Sequence, residues 1–149
     1  MERLADAVAA QSGLDAGIRQ EALFTKAKAS MATSRRDQAL ALFRQLSADP
    51  STAVGAESKY MVIQNLFDTG RLDAVDDEVY SFSQKAGGQS YWLARAYLVL
   101  GDSFAERGQY EQAKATFESV RNGYSPVAGS QDDVLDQIDM RLKKLSETK

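Results

Sequence analysis

The chain has 149 residues, 18 basic and 21 acidic side chains, and neither cysteine nor histidine. That length suits one domain with a sizeable core, and the missing residue types exclude disulfides, Cys/His zinc sites and Ser-His-Asp or Cys-His catalysis. A net charge of −3 argues against a general nucleic-acid binder, which would carry a basic face, and no apolar run reaches the roughly 18 residues of a membrane span.

Abundant Ala, Leu, Glu, Gln and Lys favour helix throughout. Residues 3–12 read as a short helix with Leu4, Ala7 and Val8 inward, ended by Gly13. Residues 1–13 then form an N-terminal cap, in the manner of the last helix of an upstream repeat. Their sequence lacks the basic start and long apolar middle of a signal peptide. Residues 15–33 read as a long helix carrying Ile18, Leu23, Ala27 and Met31. After the turn Ser34-Arg35-Arg36, its partner at 37–47 directs Ala39, Phe43 and Leu46 inward. Asp49-Pro50 starts the next helix, because Asp caps free N–H groups and Pro suits the first turn. Residues 51–69 carry Val54, Val62, Ile63 and Leu66, and Gly70 closes that helix. Leu72, Val75, Val79 and Phe82 line its partner, about 72–85. The connector Ala86-Gly87-Gly88-Gln89 is too short to cradle a phosphate and lacks the Gly-Lys-Ser/Thr of a P-loop.

The most regular stretch is Tyr97 to Tyr124. It reads Tyr97-x2-Leu100-Gly101-x2-Phe104, then Gly108-x-Tyr110-x2-Ala113-x3-Phe117. Gly101 and Ala113 let two antiparallel helices approach, and Tyr97, Leu100, Phe104, Tyr110, Phe117 and Val120 fill the space around them. Gly108 ends the first helix in a left-handed cap. Ala39-x3-Phe43 repeats Ala113-x3-Phe117, Ala27 stands where Gly101 stands, and Ser34 replaces the turn glycine. In the middle copy Ile63 and Val75 occupy the small-residue slots, Lys59 takes the place of Tyr97, and the helices are expected to splay. The turn markers Ser34, Gly70 and Gly108 are spaced by 36 and 38 residues. Beyond Tyr124, Ser130-x-x-Asp133 has the form of a capping box with Asp for Glu. Residues 131–146 make a last helix, with Val134, Leu135, Ile138, Leu142 and Leu145 on its apolar face. A stack of hairpins needs such an end helix to cover its open apolar surface.

This spacing resembles the tetratricopeptide pattern W-x2-L-G-x2-Y…A-x3-F, with Tyr97 for Trp and Phe104 for Tyr. The resemblance implies an all-α, right-handed α-α superhelix. Its parts are three hairpins at 15–50, 51–87 and 89–124, with capping helices at 1–13 and 130–146, all in one domain, 1–149. It also implies a non-catalytic protein-binding scaffold. The run YWLARAYLVLGDSFAERGQYEQAKATFESV, followed by QDDVLDQIDMRLKKL, looks like the C-terminal end of large tetratricopeptide proteins of Bacteroidetes. These are similar to the periplasmic tetratricopeptide subunits of the Tol-Pal and outer-membrane assembly systems. The likeness covers about residues 52–146 and implies a periplasmic or outer-membrane-associated place, although no targeting signal lies in this chain.

Family members bind ligands on the concave face, lined by the first helix of each repeat. Counting from the packing slots puts Phe24, Lys28 and Met31, with Glu21, on that face in the first repeat. The second supplies Tyr60, Gln64 and Phe67, with Glu57. The third supplies Arg95, Leu98 and Asp102, with Ala105. Phe24, Met31, Tyr60, Phe67 and Leu98 then form an apolar stripe flanked by charge, and a contiguous patch of that kind marks a contact. The expected partner is a protein or peptide. The alternative is a structural role, with the face filled by upstream repeats or a second copy. The Lys and Asn clamp that holds a chaperone's terminal carboxylate in some members is absent, since its places hold Phe24, Tyr60 and Leu98, then Lys28, Gln64 and Asp102. No cofactor or metal is expected. Asp76-Asp77-Glu78 and the group Asp132, Asp133 and Asp136 lack the alternating ligands and turn glycine of a calcium loop and read as solvated helix surface. Glu106 and Glu111 flank a turn and read as a helix end, not as the paired carboxylates of a hydrolase. Trp92 packs on the preceding helix near Phe82 and Val79, or anchors an interface.

Overall fold

A computed structural model describes residues 16–32, 36–126 and 132–147. The expected helix at 3–12, the turn at Ser34 and the cap at Ser130 lie outside the described residues, as does the Met31 side chain. Seven helices run through the described residues, with no strand among them: α1 Ala16–Ala32, α2 Arg36–Leu46, α3 Ala53–Asp68, α4 Leu72–Lys85, α5 Ser90–Glu106, α6 Tyr110–Gly123 and α7 Val134–Glu147. The expected all-α class is what forms. The chain divides into two compact units, with the division falling inside α3, between Val62 and Ile63.

The first unit takes the chain through Val62 and the connector Lys85–Gln89. Here α1 and α2 pack side by side, burying Ala22, Phe24 and Ala27 against Ala39, Phe43 and Leu46. The Phe24 and Phe43 rings meet edge to face, centroids 6.0 Å apart, the arrangement that ring quadrupoles favour. Ile18, expected inside, is 46% exposed. It lies in the first turn of α1, before the buried stretch of that helix begins at Ala22. The start of α3 also differs from expectation. The helix begins at Ala53, and Thr52 Oγ1 accepts from the Gly55 N–H at 3.0 Å, so Thr52 is the capping residue. Asp49 forms the turn before it, accepting from the Ser51 hydroxyl and backbone N–H. Those two bonds, the hydroxyl's first, hold its carboxyl below the usual range. Gly55 is a packing requirement that the sequence pattern did not reveal: a Cβ there would sit 1.9 Å from the Asp49 carbonyl oxygen.

The second unit comprises Ile63–Gln84 and the chain from Ser90 onward. Two of its turns are built alike. At the end of α3, Arg71 N–H donates to Leu66 C=O at 2.8 Å and Gly70 N–H to Phe67 C=O at 3.1 Å. At the end of α5, Gln109 N–H donates to Phe104 C=O at 2.8 Å and Gly108 N–H to Ala105 C=O at 3.0 Å. This is the paired-bond helix stop that needs a left-handed residue, and the glycines have φ of 78° and 76°. Ile63 and Val75, the large residues in small-residue slots, are both fully buried, as are Val79 and Phe82. Arg107, just past α5, reaches the start of α4, donating to Asp76 at 2.8 Å and Asp73 at 3.4 Å.

In the α5–α6 hairpin the partner of Gly101 is Phe117. A Cβ on Gly101 would lie 2.3 Å from the Phe117 ring, so the glycine opens a slot for that side chain. Ala113 is fully buried in the same hairpin. Helix α7 then covers it. Val134 and Ile138 join Ala94, Leu98, Ala113, Phe117 and Val120 in one apolar cluster, with Tyr97, Phe104, Leu135, Leu142 and Leu145 packed partly buried around it. Asp132 starts α7 by accepting from the Val134 N–H at 2.9 Å and from the Tyr124 hydroxyl. Burial, followed by that carboxylate neighbour, raises the Tyr124 pKa well above the usual tyrosine range. Tyr110, expected within the hairpin, is 46% exposed. As the first residue of α6 it lies at the hairpin's end, with its ring turned out beside α7.

Candidate protein-binding groove

The residues expected to line a ligand face divide into two groups. In the first group, the side chains are packed or paired within the fold. Phe24 is 8% exposed and meets Phe43 of α2 edge to face, while Lys28 lies over the Phe24 ring, 4.4 Å from its centroid, and pairs with Glu57 of α3 at 3.0 Å. Leu98 is 5% exposed in the cluster shared with α7, and Asp102 accepts from Arg141 of α7 through both oxygens, at 2.9 and 3.1 Å. Bidentate geometry makes the latter the stronger of the two pairs. Phe24 and Leu98 are therefore not outward, and the continuous apolar stripe through them does not form. The reasons differ. Phe24 is covered within its own hairpin, by Phe43 of α2. Leu98 is covered by α7, whose Val134 and Ile138 share its cluster, and the packing slots of one hairpin leave open where that helix lies.

The second group stays accessible. Tyr60 and Gln64 are half-buried on α3, where the Gln64 amide donates to Asp68 at 3.0 Å. Arg95 donates to the Tyr91 hydroxyl at 3.0 Å and lies 5.8 and 6.0 Å from the Tyr91 and Trp92 ring centroids. Trp92 itself meets Tyr91 edge to face at 5.0 Å. Phe67 and Asp102 line a groove of about 450 Å³ in the second unit. Ala105, Glu106, Tyr110 and Phe117 also line it from α5 and α6, and Arg141, Lys144 and Leu145 from α7.

The groove has a definite charge layout. Asp102 and Glu106 are four apart on α5 and share a face; Arg141 and Lys144 are three apart on α7. The inner rung, Asp102–Arg141, is closed by its two hydrogen bonds, and Gln137 fixes the guanidinium further at 2.9 Å. At the outer rung Glu106 and Lys144 are both exposed. Phe67, Tyr110 and Leu145 supply apolar surface beside it. A second opening of about 360 Å³ lies on the other side of α7, lined in part by Tyr110, Lys114, Leu142 and Leu145. The last turns of α7 are thus accessible from two sides.

One member of each acidic run has a charged or hydroxyl partner. Asp76 belongs to Arg107 and Asp132 to Tyr124. Among the described residues no helix is long and apolar enough to cross a membrane.

Sequence reasoning did not find Tyr110, Leu145 or the Arg141–Asp102 pair. The signal was present. The small-residue slots Ala27, Ile63 and Gly101 are spaced by 36 and 38 residues, and a further step of 38 reaches Asp139 on α7. In that register α7 is the next first helix, so its contact with Leu98 and Asp102 follows. Asp139 stands on α7 at the register position that Gly101 holds on α5, and it pairs with Arg121.

The comparisons with known proteins agree with this geometry where the pattern is clearest. Residues 91–125, which hold α5, the Gly108 turn and α6, match the tetratricopeptide repeat family. No curated protein and no solved structure matches the chain. The chain therefore carries a tetratricopeptide repeat within an all-helical fold, a module that commonly serves protein–protein interaction.

Proposed function

We propose that the chain is a non-catalytic scaffold that holds a peptide or protein segment in the groove between α5 and α7. The observation that carries this reading is the groove itself, whose lining combines apolar side chains, among them Phe67, Tyr110 and Leu145, with charged ones. Protein contacts combine the two kinds of surface in the same way. The resemblance to Bacteroidetes proteins supports a place in the bacterial cell envelope, in the periplasm or associated with the outer membrane. The acidic balance of the chain supports a partner other than nucleic acid. The second opening beside α7 supports another reading, in which a second copy or further repeats cover this end; light scattering of the purified chain separates the two.

The test is the double change Phe67→Ala with Tyr110→Ala, followed by circular dichroism and by capture from a bacterial envelope extract. The expected outcome is an intact helical spectrum with capture lost, since truncating a true anchor costs about 2 kcal/mol of binding or more. Unchanged capture by the folded double variant would place binding elsewhere, and an unfolded variant would make these residues core.

A further inference from the structure

Beyond that reading, we propose that the second opening, between α6 and the last turns of α7, docks an amphipathic helix of a partner protein, one that carries cation, anion and cation at positions i, i+3 or i+4, and i+7 beside an apolar stripe. Tyr110 at the start of α6, with Leu142 and Leu145 on α7, gives the opening its apolar lining, and Glu111, Lys114 and Glu118 line it from α6. These three are exposed and, at spacings of three and four, share one face of their helix. Among the described residues their side chains make no hydrogen bond or ion pair, whereas Arg121 is committed to Asp139 and Arg141 to Asp102. The wall therefore displays anion, cation and anion over two turns, the carboxylates about 10.5 Å apart along the axis. That spacing selects a helix. An extended segment advances about 3.3 Å per residue and sends alternate side chains to opposite faces, so its same-face residues fall about 6.6 or 13 Å apart and meet only one of the two carboxylates. A helix returns to the same face after seven residues with the same rise as α6. Charges on the flank of a docked helix set its partner and register, as at the flanking positions of a coiled coil, while its apolar stripe enters the cleft. A uniformly acidic helix meets two like charges here, and such juxtapositions suppress wrong partners.

Four dye-labelled helical peptides with a leucine stripe test this. Two carry Lys, Glu and Lys along the flank, at i, i+3, i+7 or at i, i+4, i+7, and two carry the inverse, Glu, Lys and Glu. Fluorescence anisotropy at low ionic strength compares the wild-type chain with the triple reversal Glu111→Lys, Lys114→Glu and Glu118→Lys, its fold checked by circular dichroism. The double swap Lys114→Glu with Glu118→Lys, which keeps the acidic first turn of α6, is the second variant. The wild type is expected to bind one Lys-Glu-Lys peptide about tenfold tighter than its inverse, with the difference shrinking as salt is raised. The triple reversal should invert that order, and the double swap should fall between. Equal binding of each peptide and its inverse, or an order that the triple reversal leaves unchanged, would overturn the proposal, as would no binding of any of the four. A dimer seen by light scattering that the triple reversal breaks, with no peptide bound, would overturn it in favour of a second copy.

Discussion

The first and third hairpins solve the same packing problem with different residues. In both, the second helix carries Ala-x3-Phe, and Ala39, Phe43, Ala113 and Phe117 are all buried. Their first helices differ. Gly101 makes way for the Phe117 ring, which stands where a Cβ would be, whereas the equivalent slot in α1 holds Ala27, fully buried with its methyl group. The third hairpin also stops α5 with a glycine in the left-handed region. Only the stretch with Tyr97, Leu100, Gly101, Phe104 and Gly108 together matches the family. The burial of Ala-x3-Phe on the second helix thus survives loss of the signature residues on the first.

That contrast is broken most severely by Gly101→Leu. Four added carbons would occupy the space of the Phe117 ring, and overpacking of this kind typically costs about 1–3 kcal/mol and sometimes more. The melting temperature should fall by roughly 2–4 °C for each kcal/mol. Gly88→Leu is the control, since nothing lies within 4 Å of a Cβ there, and its melting temperature should hardly move. Ala27→Gly tests the other hairpin and should cost only about 1 kcal/mol, chiefly through helix propensity. Equal losses from Gly101→Leu and Gly88→Leu would show that the slot is misplaced.

The segments that follow the two hairpins differ in sign. After the first, Asp49 is held as a carboxylate by Ser51. After the third, Tyr124 is held in its protonated form beside Asp132. A tyrosine whose folded pKa lies above its unfolded value contributes stability that is complete below about pH 10 and is lost as pH rises beyond it. Thermal melts between neutral and alkaline pH should therefore show a decline, smaller than the Gly101→Leu effect, that Tyr124→Phe reduces. An identical alkaline decline in the variant would sink this assignment.

Most of the helix plan was legible in the sequence because its stops are chemically explicit. Gly70 and Gly108 end helices where only a glycine is comfortable, and the expected partner helix at 72–85 coincides with Leu72–Lys85. Starts were less legible, because Asp49, Ser51 and Thr52 all carry capping groups, and only the fold selects Thr52. The ligand face was the least legible part. Leu98 looks like an exposed apolar residue when its hairpin is considered alone and becomes interior once α7 arrives, whereas Phe24 is interior to its own hairpin, against Phe43. Tyr110 looks like hairpin filling and turns outward because α6 begins there. Leu98 thus depends on a neighbour that the pattern within one repeat does not encode.

The central claim is that Leu98 is structure and Tyr110 is surface available to a partner. Urea unfolding of Leu98→Ala and Tyr110→Ala tests it directly. Truncating a buried leucine typically costs about 2–5 kcal/mol, whereas a surface substitution stays within about 0.5 kcal/mol. A large drop in the midpoint for Leu98→Ala with little change for Tyr110→Ala is the predicted result. The reverse order, or equal losses, would contradict the account.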